Sequence, residues 1–148
     1  MLRTLIFNGR MARIHRDRSA TAAVEFAILS PILILVLLGM VAYGIYFGAS
    51  HSIQQLAADA ARTAIAGLSA SERETLVTDY IDRNAGKYPF VDPDKLVVEA
   101  NDSTDDGSQF VVSLSYDASS LPIWGLFNGL VMPDTTIERA STIRIGGL

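Results

Sequence analysis

The segment FAILSPILILVLLGMVAYGIYF, from Phe26 to Phe47, decides the fold because it is apolar throughout and carries no charged residue. As a helix its 22 residues would span roughly 33 Å, enough to cross a hydrocarbon core of about 30 Å. Tyr43 and Tyr46 lie near its end, where aromatic side chains favour the membrane–water interface. The segment therefore predicts a transmembrane helix, bent near its start by Pro31.

A cleaved secretory signal and a buried core helix are the alternatives for this segment. The apolar region of a secretory signal usually has about 7–15 residues, which is fewer than here. A helix in the core of a soluble protein of 148 residues rarely continues so far without a charge. The composition also favours a membrane element, since 49% of residues are hydrophobic, 19% are charged and the mean hydropathy is +0.28.

Charge is distributed unevenly on the two sides of the apolar segment. Residues 1–24 contain five arginines and a single acidic residue, Asp17, whereas the chain from Asp59 onward carries fourteen acidic and seven basic residues. The positive-inside rule then predicts a cytoplasmic N-terminus. We expect a basic cytoplasmic leader (1–20), a transmembrane helix (21–50), and an extracytoplasmic helix with a small β-sheet domain (51–148).

The helix is predicted to continue beyond the membrane as a stalk over His51–Leu68. Its expected buried face consists of apolar residues at helical spacing: Ile53, Leu56, Ala60, Ala64 and Leu68. Gly67 is a plausible interruption, and two overlapping capping boxes follow it, Ser69 with Glu72 and Ser71 with Glu74. They predict a second, short helix whose apolar face comprises Leu76, Val77, Tyr80 and Ile81.

After Asp94 the spacing of apolar residues changes from the helical period to alternation with polar residues. Three segments have the pattern of β-strands: Lys95–Glu99, Gln109–Asp117 and Thr135–Ile145. The second places Phe110, Val112, Leu114 and Tyr116 on one face, and Asn101–Ser108 predicts the turn before it. The fold class is therefore α+β, in which a long N-terminal transmembrane helix extends into an outer helical stalk and is followed by an antiparallel sheet of about three strands.

The connection before the last strand, Leu121–Pro133 (LPIWGLFNGLVMP), is unusually apolar. Trp124 and Phe127 make it a candidate interaction patch for a neighbouring subunit or for the membrane surface. The alternative is a loop that folds back and closes a small core.

Glu25 stands at the threshold of the apolar segment. A carboxylate beside hydrocarbon is costly, so such a residue is a functional candidate. The alternative is that Glu25 lies among the lipid headgroups, where it pairs with Arg18 or stabilises the positive end of the helix.

Gly44, Gly48 and Ser52 form a stripe of small residues at the end of the span. Such a stripe lets membrane helices approach closely, although glycine is common in these helices in any case.

The sequence contains few residues of the types that carry out catalysis. It contains no cysteine and two histidines. His51 lies at the predicted membrane exit with no acid nearby in sequence, and His15 lies in the basic leader. We expect no enzyme activity, no metal, no cofactor and no small-molecule substrate. The net charge of −4 also argues against a nucleic-acid partner.

The segment RDRSATAAVEFAILSPILILVLLGMVAYGIYF, from Arg16 to Phe47, resembles the opening of TadE-like proteins, which are minor pilins (pseudopilins) of the tight-adherence type IV pilus system. The resemblance is strong as far as about Arg62. Beyond Arg62 the chain is similar in the pattern of residue types more than in amino-acid identity. In this family, prepilin-like processing leaves Glu as the fifth residue of the mature chain. The resemblance therefore implies a cut between Ala20 and Thr21, with Glu25 fifth and Phe26 sixth.

In the family the residue before the cut is usually glycine, and Ala20 replaces it here. The family reading implies a pilin-like assembly subunit in the bacterial inner membrane, with other pilin-like subunits and a prepilin peptidase as partners. A permanently anchored inner-membrane scaffold with an extracytoplasmic interaction domain is the alternative function. An enzyme or sensor is a third hypothesis, which lacks site residues.

Overall fold

The computed structural model describes residues 18–103, 108–126 and 132–145. The fold is α+β, as predicted: two helices precede a three-stranded antiparallel sheet. The chain divides into two compact units, Met1–Met40 and Val41–Leu148. Residues 1–17 of the predicted leader lie outside the described residues.

The first helix, α1, is Arg18–Thr63 and contains Pro31. Up to Met40 its apolar side chains have no protein cover, and even Leu33 and Val36 in the middle of the apolar segment are more than half exposed. The most apolar 18-residue window of this helix has a mean hydropathy of 2.5 and no buried residue. A helix of this length and exposed apolarity fits a single-pass membrane protein.

In the second unit α1 is buried along one face. Its largest inward side chains are Ile53 and Leu56, and most of the other buried residues of that face and of the turn after it are alanine: Ala49, Ala57, Ala60, Ala61 and Ala64. The predicted face is confirmed up to Ala64 and is wrong at Leu68, which is 93% exposed. The α-helix ends at Thr63 and passes into a 3₁₀ turn, Ala64–Ala66, so the helical spacing no longer applies at Leu68.

Gly67 permits the close approach of the next helix, α2, which is Ala70–Asn84. A Cβ on Gly67 would lie 2.8 Å from the backbone nitrogen of Arg73 and 2.7 Å from its Cγ. Of the two predicted capping boxes the structure uses Ser69 with Glu72: Ser69 Oγ accepts from the Glu72 N–H at 3.2 Å, and Glu72 Oε2 accepts from the Leu68 N–H at 2.9 Å.

The sheet has the order β1-β2-β3, with β1 Leu96–Asp102, β2 Gln109–Asp117 and β3 Thr136–Arg144. The bounds predicted for β2 are confirmed, and β3 is one residue shorter at each end than predicted. The predicted end of β1 at Glu99 is wrong. Asn101 and Asp102 belong to the strand and not to the turn, because β2 offers them Val111 and Phe110 as pairing partners.

The core lies between the sheet, α2 and the second-unit part of α1. The predicted inward face of β2 is confirmed, since Phe110, Val112, Leu114 and Tyr116 are each at most 1% exposed. From α2 the residues Val77 and Ile81 complete this core, and β3 adds Ile137. Burial of these apolar side chains is the main source of stability in so small a unit.

Two arginines are held inward by specific partners. Arg73 Nη2 donates to both carboxylate oxygens of Asp102, at 2.9 and 3.0 Å, and its guanidinium lies 5.5 Å from the centre of the Phe110 ring. This ion pair fastens the start of α2 to the end of β1. Arg139 of β3 donates to the hydroxyl of the buried Ser50, so it fastens the sheet to α1.

Tyr88 joins the two helices after α2 has ended. Its hydroxyl donates to Asp59 Oδ2 of α1 at 2.8 Å and lies 3.1 Å from the hydroxyl of Tyr80 on α2. Burial and these two hydrogen bonds raise the pKa of Tyr88 above its usual value. The Tyr88 phenol therefore keeps its proton to a higher pH than an ordinary tyrosine does.

Candidate functional site

The predicted processing residues lie in the first turns of α1. The peptide bond between Ala20 and Thr21 is already helical, because α1 begins at Arg18. Thr21, Glu25 and Phe26 are exposed, with Phe26 at 69%. Residues four apart on a helix share a face, so the Glu25 carboxylate lies on the same side of α1 as Thr21.

The Glu25 carboxylate has no partner among the described side chains, and the side chain of Arg18, its predicted alternative partner, lies outside them. Within the side chains that the structure describes, it makes no hydrogen bond or ion pair, and it is surrounded by exposed apolar residues of the same helix. Two groups of a partner could pair with it there: a guanidinium or ammonium group, or the α-amine of a processed chain. A charge left unpaired beside hydrocarbon would be penalised, so this position is suited to selecting a partner.

The three small residues of the predicted stripe have different surroundings in the structure. Gly44 faces open space, where a Cβ would meet nothing within 4 Å. Gly48 instead faces its own unit, because a Cβ there would lie 3.0 Å from Cε2 of Phe90. Ser52 is buried. Of the three predicted packing residues, Gly44 is therefore the one that another helix could reach directly.

The apolar connection is described at residues 121–126 and 132–133, so Phe127 lies outside the described residues. Leu121 and Ile123 are buried in the core. The Trp124 indole N–H donates to the carbonyl of Ala118 at 2.7 Å, and the ring meets that of Tyr46 edge to face at 6.5 Å. This part of the connection folds back on the second unit, and Trp124 keeps an intermediate exposure.

An aromatic cluster lies on one side of α1 near the end of its apolar segment. The ring centres of Tyr43 and Phe47 are 6.1 Å apart, those of Tyr46 and Phe47 are 6.0 Å apart, and Trp124 joins through Tyr46. Phe90, which packs on Gly48, was not predicted from the sequence. Little in the sequence points to this contact. Tyr88-Pro89-Phe90 lies in an irregular connection, and Tyr88 is already 41 residues beyond Phe47.

The described residues contain no group of three or more histidine and acidic side chains that could hold a metal ion. The described residues thus offer surfaces for packing: a carboxylate near the start of α1 with no described partner, exposed apolar side chains along the helix, the open position at Gly44, and a group of aromatic rings at positions 43–47. These are features by which chains pack together or against lipid.

Comparison with known proteins confirms the resemblance in sequence. The family model described as TadE-like protein matches residues 20–62, a range that contains Ala20, Thr21, Glu25, Phe26 and the small-residue stripe. No curated protein and no solved structure matches the chain. The family match suggests a protein associated with the Tad pilus.

Proposed function

We propose, from the match of residues 20–62 to TadE-like proteins, that the chain is a pilin-like structural subunit of a tight-adherence (Flp-type) pilus or of a related secretion machine. It acts in the membrane by packing its helix against those of other pilin-like subunits. The observation that carries the proposal is the uncovered apolar surface of α1 within the matched range. A soluble role would leave that surface exposed to water at a high cost in free energy.

The proposed topology places residues 1–20 in the cytoplasm, a span within 21–50 in the bacterial inner membrane, and residues 51–148 outside. Five arginines before the apolar segment, and none after it until Arg62, motivate this orientation. Alkaline phosphatase, which is active only outside the cytoplasm, should be active when fused after Leu148. Activity at that position from a cytoplasmic reporter alone would overturn the topology.

Processing distinguishes the pilin-like subunit from the anchored scaffold. If a prepilin peptidase matures this chain, mass spectrometry should find an N-terminus at Thr21 in membranes from cells with the active peptidase, and at the leader in cells without it. The removed leader would carry all five arginines that precede the span. An unprocessed N-terminus in both strains would contradict the pilin-like role.

Two observations favour the permanently anchored scaffold as the second candidate. Ala20 stands where the family usually has glycine, and the bond that would be cut lies within α1. A helical peptide bond must unwind before an extended protease site can accept it. In the scaffold reading the second unit would bind envelope partners without entering a fibre.

Within the proposed assembly, Gly44 is the position for close helix contact. It is the member of the small-residue stripe with open space over its Cα, and the aromatic rings of Tyr43 and Phe47 lie beside it along the helix. A neighbouring helix could approach here to short range, where dispersion contacts are largest. Neither a nucleic acid nor a small-molecule substrate has a part in this function.

A further inference from the structure

We propose that Phe90 inserts into the lipid interface beside α1 and holds the second unit against the membrane surface; this inference rests on the proposed membrane span. The partner is the bilayer in which the chain is anchored, and the contact is made by a residue far from the span in sequence. Three observations support it: the place of the ring on α1, the strained backbone that presents it, and its exposure.

The Phe90 ring lies at the end of the apolar segment. Gly48, on which it packs, directly follows Phe47, the last residue of that segment. A Cβ on Gly48 would come within 3.0 Å of Cε2 and 3.2 Å of Cδ2, so the ring covers the glycine closely. Phe90 therefore occupies the same level of the helix as the aromatic cluster. Aromatic side chains concentrate at this level in membrane proteins.

The backbone of Phe90 is strained. Its φ is 63°, and it is the only residue other than glycine with a positive φ in the described part of the chain. A bulky side chain rarely adopts this conformation, so surrounding contacts must maintain it. The buried Tyr116 supplies them: its hydroxyl donates to the Phe90 carbonyl at 3.1 Å and accepts from the Asp92 N–H at 3.3 Å.

The strained conformation leaves the Phe90 ring partly exposed. Phe90 remains 50% exposed, Phe47 is 62% exposed, and Pro89 beside it is exposed as well. The exposed half of the Phe90 side chain gains no burial energy from its own unit. Transfer of that exposed half from water to an apolar medium would be favourable in free energy. The bilayer surface at the end of the proposed span is the apolar medium next to this site.

Tryptophan fluorescence of the full chain in vesicles tests the inference. Trp124 is the only tryptophan, so Trp124→Phe gives a background in which Phe90→Trp is the single probe. The vesicles contain phosphatidylcholine and phosphatidylglycerol, with bromine near the carbonyl end of the acyl chains. We expect the bromolipid to quench emission from position 90 and to shift it to the blue, with little quenching by aqueous iodide.

Two positions in the same background serve as controls. Ile34→Trp lies in the apolar segment and should be quenched by bromolipid, whereas Val97→Trp lies exposed on β1 and should be quenched by iodide. If Ile34→Trp is not quenched by lipid, the proposed span itself is wrong. If it is quenched while Phe90→Trp responds to iodide, or to neither agent, the span stands and the Phe90 inference is overturned.

A second measurement keeps the inference testable if Trp124→Phe does not fold. The chain contains no cysteine, so Phe90→Cys can carry a spin label with Trp124 intact. Relaxation of the label by oxygen, which is enriched in lipid, should exceed that by a water-soluble nickel complex. The reverse order at position 90, with the lipid pattern retained by labelled Ile34→Cys, would overturn the inference.

Discussion

Replacement of Glu25 by glutamine is expected to leave the chain in the membrane and to prevent its incorporation with partner subunits. Insertion depends on the apolar segment, which the substitution does not touch. We expect assembly to depend on the carboxylate, because in processed chains it would offset the α-amine at Thr21 of a neighbouring subunit in a medium of low dielectric constant. Breaking a buried charge pair costs about 3–5 kcal/mol, or roughly a hundred-fold or more in the association constant.

Carbonate extraction measures insertion of the Glu25→Gln chain, and cross-linking or co-purification with pilin-like subunits measures incorporation. Glu74→Gln is the matched control, since it removes the same charge from an exposed position on α2. Glu25→Asp should restore part of the incorporation by returning the charge. Normal incorporation of Glu25→Gln in cells that process the chain would refute the pairing.

Replacement of Trp124 by serine is expected to lower the stability of the second unit by about 2–4 kcal/mol. Truncating a fully buried aromatic residue costs about 3–5 kcal/mol, and Trp124 is only partly buried. It also loses the hydrogen bond to Ala118, for about 1 kcal/mol. Trp124→Phe, which can retain the contact with Tyr46 but has no indole N–H, should cost about 1 kcal/mol.

Thermal unfolding of the full chain in detergent, followed by circular dichroism, measures this loss. Phe127→Ser is the comparison, because the candidate interaction patch assigns it a contact with a neighbouring subunit. It should weaken assembly and leave the unfolding midpoint unchanged. If Trp124→Ser also weakens assembly with an unchanged midpoint, the tryptophan belongs to the contact surface and not to the fold.

The sequence was a good guide wherever one face of an element is buried along its whole length. The alternation in β2 identified all four of its inward residues because Phe110 to Tyr116 face a continuous core. The apolar segment of α1 was equally clear, since no soluble core needs such a run. Both are local patterns whose periods reflect the geometry of a strand or a helix.

The parts that were not predicted depend on contacts distant in sequence. Helical spacing places Arg73 on the same face of α2 as Val77 and Ile81, but its partner Asp102 lies 29 residues away. Arg139 turns inward because Ser50 accepts its hydrogen bond from 89 residues away. The role of Phe90 depends on Gly48 and Tyr116 together. No local window of sequence contains these pairs, so propensity and periodicity could not identify them.

The alanine face of α1 has a consequence for how this chain can vary. Ala57, Ala60 and Ala61 are fully buried and have almost no side chain to lose, and any larger residue there must displace the groups packed against the helix, at about 1–3 kcal/mol each. On the sheet the reverse holds, since Phe110 and Tyr116 fill the space and tolerate no shortening. Tolerated changes should therefore come as compensating pairs, in which a larger helix residue accompanies a smaller strand residue.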